Sequence, residues 1–258
     1  MDRRTLLQLA VATGVGAALT DAKLAAAATN GRPVIAMLAY PGMFALDLVA
    51  PFAVFSSMAT HDIQILWKQK GVIPSSGIGI EANATFAECP ENVDVIFVPG
   101  GGTGTVAAME DPEILAFVAS RAAKARFVTS VCTGSLILAS AGLLKGKQAT
   151  SHWVVRDRLA ALGAIPTNRR VVIDGNVITG AGVTAGSDLA LTIASVLSNE
   201  KLAKAVQLSI EYDPDPPFDA GSPEKAPPDV TKFVESYYGG VTGAFDQAIA
   251  RRKKALAL

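Results

Sequence analysis

The stretch Arg126-Phe127-Val128-Thr129-Ser130-Val131-Cys132-Thr133-Gly134-Ser135 decides the reading of this chain. A short apolar run ends on a cysteine, and small residues then open a pattern of helical spacing over 136–141. The pattern is that of a strand handing its last side chain to a sharp turn at a helix N-terminus. Such a turn presents the side chain at its apex, and the free N–H groups and positive dipole end of the helix favour a thiolate. Cys132 is therefore a candidate nucleophile in a nucleophile elbow, and the unit around it predicts an α/β protein.

Outward from the elbow the same grammar repeats. Pro33-Val34-Ile35-Ala36-Met37-Leu38-Ala39-Tyr40 is a continuous apolar run, as expected of a strand buried on both faces of a mostly parallel sheet. Residues 62–67 and 93–98 are of the same type, and helical patterns lie at 48–58, 112–125, 136–141 and 153–162. Strands alternating with helices predict a doubly wound, flavodoxin-like α/β layer: a mostly parallel sheet flanked by helices. Two segments break the alternation and read as hairpins, 71–86 and 170–179, the second split by Asp174-Gly175. Helices are expected at 185–197 and 200–210. The prolines of 213–228 remove backbone donors and fix φ, so this stretch reads as an extended surface arm leading to a last helix over 229–254.

Composition narrows the function. The 258 residues are 50% hydrophobic and 18% charged, enough for one large core. Lys plus Arg and Asp plus Glu balance at 23 each, and no basic stripe is interleaved with aromatics. That excludes a nucleic-acid footprint and points to a small-molecule partner. At the N-terminus, Arg3-Arg4 precede a mild apolar stretch over 6–19, followed by Ala25-Ala26-Ala27-Ala28. The stretch is too short, and too diluted by Gly14 and Gly16, for a stable membrane anchor. Residues 1–28 read as a twin-arginine signal peptide, which leaves 29–258 as one domain exported to the periplasm or secreted. Cys89 and Cys132 in an exported protein admit a disulfide, but a domain of this size needs no staple, and Cys132 makes better sense as a reactive thiol. The two histidines, His61 and His152, are far apart in sequence, so no metal site is expected.

Several residues can join the cysteine. Pro99-Gly100-Gly101-Gly102-Thr103-Gly104 follows a predicted strand and precedes a helix. It lacks the lysine of a phosphate-binding loop and does not open the chain as a dinucleotide fingerprint does. Its amides suit an oxyanion hole, which makes Gly101 and Gly102 substrate-binding candidates. Asp47, in the first strand-to-helix connection, is either a cap or turn carboxylate or a buried acid with a raised pKa that gives and takes a proton. Thr133 either orients a substrate atom or serves only the backbone. His152 sits at an expected strand end, as a structural residue or part of a substrate pocket, and no nearby acid completes a Cys-His-Asp arrangement.

From about residue 33 to the proline-rich arm, the chain resembles the isonitrile (isocyanide) hydratase family of the ThiJ/PfpI branch, within the class I glutamine amidotransferase-like superfamily. The resemblance is carried by Leu46-Asp47-Leu48 with Pro51, Ile65-Leu66-Trp67-Lys68, Ser75-Ser76-Gly77, Phe86-Ala87-Glu88-Cys89-Pro90 and the glycine loop. It continues in Met109-Glu110-Asp111-Pro112, the elbow, Ala149-Thr150-Ser151-His152-Trp153, Gly180-Ala181-Gly182-Val183-Thr184-Ala185-Gly186, and Glu211-Tyr212 through Pro216-Pro217-Phe218. The resemblance implies Cys132 as nucleophile, Asp47 as acid/base, Thr133 as a supporting group, and backbone N–H groups near Val183 facing the thiolate. Where other branches place a histidine after the cysteine, this chain has Thr133, which argues against a PfpI-like peptidase. The implied reaction is cofactor-independent hydration of an isonitrile to an N-substituted formamide through a covalent thioimidate, in a protein that is commonly a homodimer. Two other readings stay open: a different cysteine-dependent enzyme, amidase or glyoxalase-like, and a non-enzymatic ligand-binding or stress-protective protein. AraC-type regulators share the elbow motif, but no helix-turn-helix pair follows here.

Overall fold

Strands that are apolar on both faces need helices on both sides, and the chain supplies them in alternation. The computed structural model describes residues 32–257; the expected signal peptide over 1–28 lies outside them. Strand β1 (Val34–Leu38) leads to helix α1 (Ala45–Met58) and β2 (Asp62–Trp67). A separate antiparallel hairpin of β3 (Gly71–Ser75) and β4 (Ile78–Ala82) follows, then the short β5 (Ala84–Thr85) and β6 (Val95–Val98). Helices α2 (Thr103–Glu110) and α3 (Pro112–Ala122) precede β7 (Phe127–Val131) and α4 (Gly134–Ser140). Beyond these, β8 (Gln148–Ala149) and β9 (Ile165–Pro166) flank a 3-10 segment, Arg156–Leu162. The chain closes with β10 (Val171–Asp174), β11 (Val177–Gly180), α5 (Ala185–Leu197), α6 (Glu200–Ser209) and α7 (Pro228–Ala255).

The main sheet runs β10-β11-β7-β6-β1-β2-β5, parallel throughout except for the β10–β11 pair. Met37 of β1 pairs with Phe97, and Phe97 with Thr129 of β7, so the three central strands end together. Helices α1, α5 and α6 pack on one another, and α2, α4 and α7 form a second group with α3 against α4. From β1 the chain turns first to β2 on one side and later to β6 on the other. That reversal opens a crevice beyond the carboxyl ends of the strands, the place where sheets of this kind bind ligands.

The doubly wound reading holds, with local corrections. Helix α1 begins at Ala45, three residues earlier than expected, so Asp47 lies in its first turn rather than in the connection before it. The expected helix over 153–162 is the 3-10 segment, because seven residues cannot distinguish a period of 3.0 from 3.6. The hairpin over 71–86 ends at Ala82; Ala84–Thr85 leaves it to pair in parallel with β2. Helix α3 stops at Ala122 instead of Ala125; its start is fixed by Pro112 and by the Asp111 carboxylate, which accepts from the N–H groups of Glu113 and Ile114. Among the described residues, no helix is long and apolar enough to cross a membrane.

Candidate active site

Cys132 follows β7 directly and has φ of 56°, a left-handed conformation costly for a residue with a side chain. The turn is held there from several sides. The Cys132 N–H reaches the carbonyls of Ala181 at 2.7 Å and Gly180 at 3.1 Å, while its own carbonyl accepts from the Ser151 hydroxyl at 2.9 Å and Ser135 at 3.3 Å. The next residues must come close to β6. A Cβ on Gly134 would lie 2.3 Å from the Val98 carbonyl oxygen, and one on Gly100 would lie 2.5 Å from the Thr133 nitrogen. These glycines let the loop after β6 lie against the elbow.

That loop brings Asp47 in. The carboxyl is fully buried, and its Oδ2 accepts from the Gly100 N–H at 2.9 Å. Its Oδ1 has no well-aligned partner. It caps nothing on its own helix. Burial raises its pKa from the ordinary 3.8 to about 7, against the lowering effects of the Gly100 N–H and of hydrogen bonding with Cys132. Burial also pushes the Cys132 thiol up, and the adjacent Asp47 charge adds to this; the N–H and hydroxyl of Thr133 act the other way and favour the thiolate. The two acids therefore compete for ionisation in one dry place, and they titrate as a pair.

The other expected residues distribute as follows. Gly101, Gly102, Cys132, Thr133, His152 and Val183 line one cavity of about 220 Å³. The oxyanion-hole expectation for the loop needs correction, because its first amides are already engaged: Gly100 N–H with Asp47, and Gly101 N–H with the Thr133 hydroxyl at 2.9 Å. Thr133 does not cap its helix either; its hydroxyl donates to the Gly101 carbonyl at 2.7 Å and holds the loop. His152 is mostly buried, which lowers its pKa to about 4, so it is neutral at pH 7. Its Nδ1 accepts from the Val154 N–H at 3.4 Å, and its ring packs on Trp153 and Tyr238. It serves as a cavity wall. Cys89 is a free, buried thiol whose pKa burial raises, and it does not line this cavity. Among the described residues, no group of three His, Cys, Asp or Glu side chains could hold a metal.

Sequence reading missed one whole side of the cavity. Tyr237, Tyr238, Val241 and Phe245 of α7 close it, with Phe44, Val154 and Val155. The signal in the sequence was a tyrosine pair, Tyr237-Tyr238, within the last helix. A second, more open groove of about 400 Å³ shares Val154 with the first. Most of its charged residues are engaged: Arg156 binds Asn168 and Asp157, Arg158 pairs with Asp246, and Glu224 accepts from Asn168.

The raised Asp47 pKa carries a stability prediction. A carboxyl at about 7 in the fold and near 3.8 when unfolded binds more protons folded, so wild-type stability falls as pH rises from about 4 to 7 and then levels. Asp47→Asn removes that fall. The variant is expected to gain about 2–4 kcal/mol over wild type between pH 4 and pH 8, checked by denaturant unfolding at both. A gap independent of pH would contradict the assignment.

Residues 33–196 match the model of the DJ-1/PfpI family. The chain is 50% identical over 194 residues to the isonitrile hydratase of Pseudomonas putida, a match covering 75% of this chain and 84% of the relative. It is 31% identical over 121 residues to the deglycase PfpI of Pyrococcus furiosus, covering 46% and 72% respectively. The crystal structure of a ThiJ/PfpI family protein from Pseudomonas syringae superposes with a TM-score of 0.83 at 50% identity, covering 85% of this chain and 91% of that one. The matched span contains the whole sheet, Asp47, the glycine loop and the elbow that carries Cys132: the chain belongs to the DJ-1/PfpI family.

Proposed function

We propose that this protein hydrates an isonitrile to an N-substituted formamide, with Cys132 as nucleophile and Asp47 as its proton partner. The observation that carries the reading is the buried Cys132–Asp47 pair, whose cysteine lines a small, largely apolar cavity. The 50% identity to an isonitrile hydratase supports the choice of substrate.

The active pair holds one proton, which rests on the sulfur and passes to the Asp47 carboxylate to give the reactive form, thiolate beside carboxylic acid. The sulfur attacks the terminal isonitrile carbon, and Asp47 delivers its proton to that carbon, giving a thioimidate, R–N=CH–S–Cys132. The carboxylate next takes a proton from water as the oxygen adds to the same carbon, and passes that proton to nitrogen. Collapse of R–NH–CH(OH)–S–Cys132 returns the hydroxyl proton to Asp47, breaks the C–S bond and releases R–NH–CHO. Cys132 leaves as thiolate and Asp47 as acid, so the cycle closes on Cys132, Asp47 and water. A soft sulfur nucleophile divides a difficult addition into two easier ones. This makes the enzyme a hydro-lyase. Gly101, Gly102, His152 and Val183 hold the substituent, and Thr133 steadies the loop and the sulfur.

The test is incubation with an alkyl or aryl isonitrile, followed by formamide appearance, with a dicarbonyl as the competing electrophile. Absence of formamide sinks the substrate. The pH profile gives a second check. Below about 7 the pair holds two protons and no thiolate is available, so kcat/KM is expected to rise through about pH 7. It should fall again only when the last shared proton leaves at higher pH. A flat profile from pH 5 to 8 would contradict the pairing.

Two further expectations belong to this reading. Residues 1–28 direct twin-arginine export of the remaining domain to the periplasm; changing Arg3-Arg4 to Lys-Lys in a reporter fusion should block export, and unaltered location would overturn this. The protein acts as a homodimer. Light scattering that gives a monomer mass would overturn that.

A further inference from the structure

Behind Thr133 lies a file of buried hydroxyls that the proposed chemistry does not use. Thr105 and Tyr40 are both fully shielded. Tyr40 Oη lies 2.8 Å from the Pro99 carbonyl oxygen and 2.9 Å from Thr105 Oγ1. Thr105 Oγ1 lies 2.9 Å from Thr133 Oγ1 and 3.1 Å from the Gly101 carbonyl oxygen. Thr133 Oγ1 donates to that same carbonyl at 2.7 Å. Each hydroxyl has one proton and so serves one acceptor at a time.

The Gly101 carbonyl is thus in reach of two hydroxyl donors, Thr133 and Thr105. The Thr133 hydroxyl is also one of the groups that favour the charged form of the Cys132 sulfur. When Thr133 turns its proton to the sulfur, it leaves the Gly101 carbonyl without that donor. An abandoned buried acceptor is costly, and Thr105 is the group placed to take it over.

We infer that Thr105 is a positioning residue: its hydroxyl takes over the Gly101 carbonyl and so releases the Thr133 proton to the Cys132 thiolate. The inference rests on Cys132 working as a thiolate and not on which electrophile it attacks. Its test therefore needs no substrate.

The thiolate is titrated by its ultraviolet absorbance in a Cys89→Ala background, which leaves one thiol in the protein. Thr105→Val keeps the volume and removes the hydroxyl. It is expected to raise the thiolate midpoint by about one pH unit, the size of shift that losing one buried hydrogen bond produces. Thr105→Ser, which keeps the hydroxyl, should restore the parent midpoint. Thr105→Ala provides the same loss without a second branched methyl, and near-ultraviolet circular dichroism verifies the fold of each variant. A parent-like midpoint in a folded Thr105→Val or Thr105→Ala variant overturns the inference, whatever happens to turnover. An equal shift in Thr105→Ser also overturns it, since the effect would then be one of packing. Failure of the isonitrile assay with these midpoints as expected would remove the substrate and leave the positioning role standing.

Discussion

Replacing Cys132 with serine is expected to abolish formamide formation, lowering turnover by about 10⁴-fold or more, on the scale seen when a nucleophile is removed. Serine keeps the shape of the elbow. Its backbone would still be clamped by Ala181, Gly180, Ser151 and Ser135, and its side chain would still face the cavity. What it loses is ionisation. A thiol paired with a carboxyl of pKa about 7 can yield its proton near neutral pH, whereas a serine hydroxyl beside the same carboxyl cannot. The measurement is formamide produced per mole of folded variant. Residual turnover within tenfold of wild type would place the nucleophile elsewhere.

The second large effect is expected at Asp47. Asp47→Asn is isosteric, and its amide oxygen can still accept from the Gly100 N–H, so the loop and cavity should persist. The group that moves protons is gone. Proton transfer by a positioned side chain is worth about 10²–10⁴-fold, and the loss is expected in kcat with KM little changed. The rise of kcat/KM through about pH 7 should disappear with it, because the carboxyl that titrates there has been removed. A variant with lowered kcat that keeps this limb would show that another group sets it. The same substitution is expected to stabilise the protein at alkaline pH, so stability gained and activity lost would coincide at one residue, as buried catalytic acids lead one to expect.

Much of this arrangement was legible in the chain. Residues 33–40 are apolar without alternation, and 93–98 and 126–131 carry only one to three polar residues in otherwise apolar runs, as expected of strands inside a parallel sheet. A cysteine at the end of one such run, followed by small residues, gave the elbow. Asp47 was ambiguous for a physical reason: a carboxylate in the first turn of a helix caps it unless something else claims it, and what claims it is the N–H of Gly100, 53 positions away. The same contact, with that of Thr133 to Gly101, consumed amides that a local reading assigned to an oxyanion hole. The wall formed by Tyr237, Tyr238, Val241 and Phe245 was hidden because only Phe245, Ala248 and Ile249 of that 28-residue helix are buried. A mostly exposed helix shows too little periodic signal to say what it covers. The 3-10 segment escaped because its length is below what periodicity can resolve.

One reactive sulfur carries the proposed chemistry. The protein carries two cysteines, both free, and only Cys132 faces the cavity. The most direct measurement is graded alkylation with iodoacetamide, reading modification at Cys132 and Cys89 by peptide mass and residual isonitrile hydration on the same samples. Hydration is predicted to fall in proportion to Cys132 modification, reaching zero when that thiol is fully alkylated, with no dependence on Cys89. Formamide formation that persists in protein fully alkylated at Cys132 would contradict the account.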